Sequence, residues 1–377
     1  MPTLVQLRPL ETELAEHSIL RPAGPVGVLK TLGDAVRRSK NVELIRLYDG
    51  THNSLEKIYA ENSDRWVITF SGGKDSTLTL ALALDFLRLK PKCPRIDVVY
   101  ADTMMEIPAM RRTASSMLSY IRKFARENRM PIRVHEVVPA VERRYWVCVI
   151  GRGYPPPKPK FRWCTKRLKI EPAEGYVDTG EPTAVLTGVR FGESAQRTGR
   201  LLASCATGGE CGQDFWFQRK NGSEFVTYYA PIIQWKTCNV WDFLTFVAPG
   251  AAWPTGEVVG LYGDTNMRFG CWTCTLVRRD KTMEALALRD PSSPIGKLNE
   301  FRNQMLEESK LWRNRWARTR AGVRRKGPLS LAFRIDLLRR LKLLELETGL
   351  DLITEEDEHA IRRLWALLPR RARSALG

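Results

Sequence analysis

The residues best suited to chemistry fall into a few clusters. The first is Ser71-Gly72-Gly73-Lys74-Asp75-Ser76, between the apolar run Trp66-Val67-Ile68-Thr69-Phe70 and the Leu/Ala-rich stretch from Thr77 to Lys90. Two adjacent glycines let backbone N–H groups crowd around an anion without Cβ clashes. A helix beginning at the same point aims its partly positive N-terminus there. Lys74 adds a full charge, and the hydroxyls of Ser71 and Ser76 add donors. Such a cradle suits a pyrophosphate. It is not a Walker A loop, whose lysine follows a longer glycine spacing. A tight turn with a surface lysine is the bland alternative.

The second cluster, Phe161 to Pro172, gathers Arg162, Lys166, Arg167 and Lys169 around Cys164. These cations favour a nearby thiolate or phosphate. In Gly188 to Arg197, Arg190 and Arg197 would clamp phosphates while Glu193 holds one of them; a surface salt-bridge network is the alternative. Asp102-Thr103, just past an expected strand, would meet a nucleotide or its Mg²⁺, or else cap the next helix. Cys271-Trp272-Thr273-Cys274 is a C-x-x-C pair, and Cys205 and Cys211 lie in a glycine-rich stretch. With no histidine at ligand spacing, an all-thiolate site is expected, and spacing does not choose between zinc and an iron–sulfur cluster. Four ligands would come from Cys164, Cys205, Cys211, Cys271 and Cys274. Cys93, Cys148 and Cys238 read as buried structural thiols.

The elements that must position these groups alternate. Strands are expected at 66–70, 96–100, 132–138 and 184–186, with helices over 77–90 and 108–129. Alternation of this kind implies a parallel sheet with right-handed crossovers. Gly151 to Pro159 is a loop by its Gly and Pro content, as is Leu201 to Ser223, and Val240 to Val247 reads as a short helix. From about Thr282 the chain reads as helices, including an amphipathic one over Leu331 to Leu346. The segment Arg313 to Lys326 crowds arginines around Trp312 and Trp316, which fits phosphate contacts with stacking, or a solvated helix face. Three regions are expected: a helical lead-in over 1–60, an α/β domain with the cysteines over 61–285, and a basic helical region over 286–377.

The chain has 377 residues, 43% hydrophobic content and a formal net charge of +18 at pH 7, a balance that favours polyanionic partners. No apolar run is long enough for a membrane span, and the N-terminus has no secretory pattern. A cytoplasmic setting with reduced cysteines is expected.

Two resemblances follow. The 71–76 loop resembles the PP-loop of ATP pyrophosphatases, which cleave ATP between the α- and β-phosphates. That loop, with Asp102-Thr103, Phe161–Pro172, Gly188–Arg197 and Phe269–Thr275, resembles the DndC family of DNA phosphorothioation sulfurtransferases. Gly151–Pro155 and the run Arg334 to Trp365 share the likeness. The resemblance implies an adenine-nucleotide α-hydrolase-like α/β fold, a parallel sheet flanked by helices with a helical C-terminal region. It implies ATP, Mg²⁺ and an iron–sulfur cluster of the 4Fe-4S type. It also implies DNA as substrate, and a cysteine desulfurase and other modification subunits as partners. On this reading Ser71, Gly72, Gly73, Lys74, Asp75, Ser76 and Asp102 bind the nucleotide, and Lys74, Asp75, Arg190 and Arg197 are catalytic. The chain departs from the DndC pattern in lacking cysteines just upstream of Cys271 and in its shorter length, so a related SspD-like branch also fits.

The expected reaction adenylylates a DNA backbone phosphate, releases pyrophosphate and lets sulfur displace AMP. The rivals are a phosphoadenosine-phosphosulfate reductase and a tRNA thiolase. Reductases of that kind attack with a cysteine on a C-terminal tail, and no cysteine follows Cys274, which argues against reduction.

Overall fold

The computed structural model describes residues 30–62, 64–191, 210–211, 216–219, 223–263, 267, 269–320 and 323–368. Strands β1 (Arg65–Phe70), β2 (Arg95–Ala101), β3 (Ile132–Val137) and β4 (Thr183–Leu186) lie parallel, with β1 between β2 and β4. Three further strands, β5 (Glu210–Cys211), β6 (Trp216–Arg219) and β7 (Val226–Ala230), complete the sheet. Its order is β3-β2-β1-β4-β7-β6-β5, and β7 runs parallel to β4 while β6 turns back antiparallel.

Period-2 alternation sends successive side chains to opposite faces of this sheet. Trp66, Ile68 and Phe70 join Ile96, Val98, Tyr100, Ala184 and Leu186 in the main core. That core also takes apolar residues from helices α1 (Leu32–Arg38), α2 (Val42–Glu61), α3 (Lys74–Leu87) and α4 (Pro108–Glu127). Val67, Val99, Val137, Val185 and Val226 face the other way, against Ala173 and Val177 of the short helix Glu171–Val177. Burial on both faces explains the near-continuous apolar runs of the parallel strands. At the strands' starting edge, buried Arg65 pairs with Asp97 at 2.9 Å, and Asp97 meets His135 Nε2 at 2.8 Å. Arg65 also donates to the Thr183 hydroxyl at 3.1 Å, so one guanidinium fastens β1, β2 and β4 together.

A second core lies past the carboxyl ends of the strands. There Met105 and Ile107 of the loop after β2, Trp146 from beyond β3 and Trp272 of the C-x-x-C segment pack with Met283, Phe301, Leu337 and Ile361 of four C-terminal helices. Those helices are Lys281–Arg289, Ile295–Glu308, Leu331–Thr348 and Glu355–Ala366. The C-terminal region is thus helical as expected, with one exception.

The exception is the arginine-rich segment, which forms an antiparallel hairpin of β8 (Arg315–Arg320) and β9 (Val323–Leu329). Gly327-Pro328 is hostile to a helix interior, and Trp316, Thr319 and Val323 favour strands. The stretch Leu201 to Ser223, expected to be all loop, contributes β5 and β6 to the sheet. Strand β7 went unforeseen, although Val226-Thr227-Tyr228-Tyr229-Ala230 has the β-branched and aromatic composition of a strand. Among the thiols expected to be buried, Cys148 is, Cys93 is half-buried, and Cys238 is exposed near the start of the helix Thr237–Asp242. Among the described residues no helix is long and apolar enough to cross a membrane.

Candidate active site

The loop after β1 has the geometry its glycines allow. Gly72 has φ +74°, a left-handed value that favours glycine, and a Cβ there would stand 2.9 Å from the Ala114 Cβ of α4. Gly73 caps α3 with no side chain on the orphan N–H groups of the first turn, leaving backbone donors for an anion. The Ser76 hydroxyl donates to the Gly73 carbonyl at 2.9 Å and accepts the Ser71 N–H at 3.2 Å, closing the loop on itself.

Charged groups gather at its mouth. The Asp75 carboxylate takes Lys74 Nζ at 3.0 Å on one oxygen and Arg190 Nε at 2.6 Å on the other. Arg190 is 2% exposed and also donates to the Trp235 carbonyl at 2.8 Å and the Thr237 hydroxyl at 3.3 Å. A buried guanidinium with three partners is a fixed positive charge rather than a mobile surface arm. Gly188 lets the segment after β4 approach this closely: a Cβ on it would lie 2.8 Å from both the Asp75 carbonyl carbon and the Ser76 nitrogen. The Lys74 ammonium lies 5.9 Å from the ring centre of Trp241 and 5.7 Å from that of Tyr262.

The cysteine region adjoins the end of β2. Ile107 N–H donates to the Gly270 carbonyl and Trp272 N–H to the Met105 carbonyl, so the C-x-x-C turn is laced to the 102–107 turn. The Thr103 hydroxyl meets Cys271 Sγ at 3.4 Å and donates to Glu106 at 2.7 Å. Met104, between them, has φ +62°, a strained value for a residue with a Cβ. Asp102 accepts the Met104 N–H at 2.7 Å and pairs with Arg111 at 3.2 Å, so it holds this turn together. Buried Arg302 donates to the carbonyls of Cys274 and Arg278, fixing the far side of the pair.

Cys164, Cys271 and Cys274 lie within electrostatic reach of one another and of Lys169. Burial pushes the Cys271 thiol up to about 12 against the pull of Lys169, and burial raises Cys164 too. The ammonium of Lys169 is held above its usual range by Cys271 first, when that is a thiolate, and then by Glu106. Burial also raises the Glu106 carboxyl, whose Oε2 has no hydrogen-bond partner. The donor chemistry is thiophilic in kind, with Lys169 facing Cys164, Cys271 and Cys274, and Cys271 next to the Thr103–Glu106 pair. Among the described residues no three such side chains yet close on one point as a metal site.

The two halves are contiguous. Tyr262 packs its hydroxyl 3.4 Å from the position of a Gly73 Cβ, and its ring meets Phe269 edge-on at 4.5 Å, two residues before Cys271.

The sequence profile of the phosphoadenosine phosphosulfate reductase domain matches residues 65–277, which span the whole sheet, the anion cradle and the C-x-x-C pair. The chain belongs to the phosphoadenosine phosphosulfate reductase domain family. This family is named for an enzyme acting on an adenine nucleotide. An uncharacterized protein of Methanocaldococcus jannaschii, MJ0066, is 23% identical over 250 residues, covering 66% of this chain and 40% of that protein. The chain therefore matches well under two thirds of that relative's length. Among solved structures, phosphoadenylyl-sulfate reductase of Candida auris, in a phosphate complex, aligns over 60% of this chain and 90% of its own, at 16% identity and TM-score 0.37. FMN adenylyltransferase of Candida glabrata, with FAD and inorganic pyrophosphate, aligns over 57% and 67%, at 14% identity and TM-score 0.32.

Within this reductase-family domain, the structure brings Ser71, Gly72, Gly73, Lys74, Asp75, Ser76 and Arg190 to one place, and Cys164, Cys271 and Cys274 to the adjoining one. Glu193, Arg197 and Cys205 lie outside the described residues, and of Cys211 only the backbone, in β5, is described. Sequence reasoning missed Trp241, Tyr262 and Glu106. No motif marks them, since each reaches the site from a different element; only the tertiary arrangement of this chain assembles them.

Proposed function

We propose that this chain is a DndC-like enzyme that uses ATP to activate a DNA backbone phosphate and replace one of its oxygens with sulfur. The observation that carries the reading is the continuity of the anion cradle with the C-x-x-C turn through Tyr262 and Phe269. Nucleotide splitting and sulfur chemistry then share one cleft, beyond the carboxyl ends of the strands where parallel sheets bind ligands.

The cradle N–H groups and Lys74 hold the β- and γ-phosphates, and Asp75 fixes Lys74 against the buried charge of Arg190. Mg²⁺ carried in with ATP spreads the remaining charge. A non-bridging oxygen of the DNA phosphate attacks the α-phosphorus, and pyrophosphate leaves with the electron pair of the broken P–O bond. Lys74 and Arg190 stabilise the charge that grows on that leaving group. A sulfur nucleophile at the oxidation level of hydrosulfide then attacks the activated DNA phosphorus. AMP departs, keeping the oxygen, and the sulfur loses its proton to leave a phosphorothioate. Cys164, Cys271 and Cys274 would hold an iron–sulfur cluster, with a further ligand outside the described residues. Such a cluster supplies a soft centre for delivering sulfur. A cysteine desulfurase partner would be the sulfur source; its persulfide sulfur reaches the hydrosulfide level by two-electron reduction with a thiol reductant, which leaves as a disulfide, and a cytoplasmic location suits this chemistry.

Mass spectrometry of nuclease-digested host DNA tests the reading. Phosphorothioate dinucleotides should accompany the intact chain and vanish with Lys74→Ala. Their absence from cells expressing the active chain with its partner subunits would sink it. Anaerobic purification should yield iron and sulfide, lost together in a Cys271→Ser, Cys274→Ser variant.

The family match favours a second reading, reduction of a nucleotide sulfate. It predicts sulfite released from phosphoadenosine phosphosulfate by the purified chain with a thiol reductant, and no pyrophosphate from ATP.

A further inference from the structure

The hairpin β8–β9 is seated on the second core at its base, through buried Leu329 and half-buried Trp316, and exposes its other end. Along β9, Val323, Arg324, Arg325 and Lys326 are all exposed. Neighbouring strand residues point to opposite faces, so four exposed in a row leave both faces of β9 in solvent there. A two-stranded ribbon is marginal on its own in water, and this one is held at its base and by Lys326, whose ammonium donates to the Lys310 carbonyl. Leu329 N–H donates to the Gly153 carbonyl at 2.8 Å, and Ser330 N–H to the Asn314 carbonyl at 2.9 Å. Gly153 has φ +75°, which favours glycine, and a Cβ there would come 3.1 Å from the Leu329 carbonyl oxygen.

Beside the ribbon, Trp312 is 48% exposed. The Arg324 guanidinium lies 5.3 Å from its ring centre and the Lys326 ammonium 5.2 Å. The acids that precede the hairpin in the chain are engaged elsewhere: Glu307 with Lys310 at 2.7 Å and Glu308 with Arg340 at 2.9 Å. Among the described residues no carboxylate pairs with Arg313, Arg324, Arg325 or Lys326.

We propose that this ribbon enters the major groove of duplex DNA and grips the phosphates on its rims. That groove, about 12 Å wide, admits a two-stranded β-ribbon, and a ribbon whose β9 is free on both faces can contact both walls. An exposed cation cluster without counter-charges matches a polyanion spaced along two strands. Trp312 spreads Arg324 and Lys326 on its ring and limits the side-chain freedom lost on binding. The base of the ribbon leads to the thiols. From Gly153 the chain runs to Pro155, whose carbonyl accepts the indole N–H of Trp163 at 3.0 Å, next to Cys164. It continues to Pro157, whose carbonyl accepts the Thr275 hydroxyl at 2.6 Å, next to Cys274. A duplex held by the ribbon therefore borders the pocket where sulfur is expected. The choice of DNA rests on the proposed function; the presence of a polyanion surface does not.

The test is fluorescence anisotropy of the full chain with a labelled duplex of about 30 base pairs, across a salt series. The same strand unpaired and a polyglutamate peptide serve as competitors. The triple variant R324A/R325A/K326A should bind the duplex at least about tenfold more weakly near 0.15 M salt. It should also lower the slope of log affinity against log salt by about two to three, since each lost phosphate contact removes about 0.9. Should that variant melt early, Arg325→Glu alone, at an exposed position, should still lower the slope by about one or more. Duplex binding with an unchanged slope in both variants, or stronger competition by single strand or polyglutamate than by duplex, overturns the inference. If the ribbon variants lose DNA but no phosphorothioate ever forms with the intact chain, the ribbon stands and the sulfur reading falls. If phosphorothioate forms and the ribbon variants bind DNA normally, the reverse holds.

Discussion

Tyr262 and Phe269 meet edge-on, ring centres 4.5 Å apart, and this contact joins the anion loop to the cysteine turn. On one side Tyr262 lies against Gly73 and 5.7 Å from the Lys74 ammonium. On the other, Phe269 precedes Gly270, whose carbonyl takes the Ile107 N–H at the entrance to α4. An aromatic pair of this geometry contributes about 0.5–1.5 kcal/mol beyond its buried area.

Tyr262→Ala should therefore loosen both halves together. The expected result is a rise in KM for ATP of roughly tenfold and a lower affinity of the cysteine turn for metal. Tyr262→Phe keeps the ring stack and should retain most of both. Equal behaviour of the two variants in ATP titrations would show that the ring contact is incidental.

Lys74→Ala removes a charge from the cradle without opening a core, since Lys74 is only partly buried. Pyrophosphate release should fall by roughly 10²–10³-fold or more, as when a charge-stabilising group is removed. The melting temperature should hardly move. Asp75→Ala is different, because it strands Arg190, which is 2% exposed, with one fewer partner. Breaking such a pair typically costs about 3–5 kcal/mol, so urea unfolding should show a clear loss. Stability equal to that of Lys74→Ala would contradict the arrangement.

Gly188→Ala puts a Cβ 2.8 Å from the backbone of Asp75 and Ser76, where no flexible side chain can yield. The loop must shift, at a cost of about 1–3 kcal/mol. Nucleotide affinity should drop while the cysteines and the hairpin are untouched. Isothermal titration with a non-hydrolysable ATP analogue checks this, and normal affinity would count against the packing described.

The thiols should separate by reactivity. Burial pushes Cys93 and Cys148 up to about 11, so few are thiolates at pH 8, whereas Cys238 is exposed. Iodoacetamide with peptide mapping should label Cys238 first. The sign of the pH effect on folding follows. Each raised thiol favours the fold fully below pH 9, its ordinary value, and that contribution is lost as pH rises through about 11. Stability that is flat from pH 9 to 11 would mean these two thiols are not buried as neutral groups.

Asp97→Ala should unfold the sheet edge and leave chemistry alone. It removes the partner shared by Arg65, 4% exposed, and His135. A loss of about 3–5 kcal/mol is expected, with pyrophosphate release per folded molecule unchanged.

The sequence by itself determined the local pieces. The cradle was legible because two glycines, a lysine and two serines between an apolar run and a helix impose one backbone shape whatever surrounds them. The first four strands were legible because a parallel sheet buries both faces. Arg190, Cys164 and the C-x-x-C pair were visible as residue types, though not as neighbours. The tertiary structure alone decided what meets what. Asp75 is set between Lys74 and Arg190, Glu106 reaches Cys271 through Thr103, and Tyr262 arrives from a helix nearly 190 residues along from the loop it covers. Those contacts span long separations and leave no local period to read. The hairpin was misjudged for another reason: its pairing is local, with Arg320 opposite Val323, but its arginine-rich composition reads equally as a solvated helix face, and its anchor on Gly153 comes from across the fold.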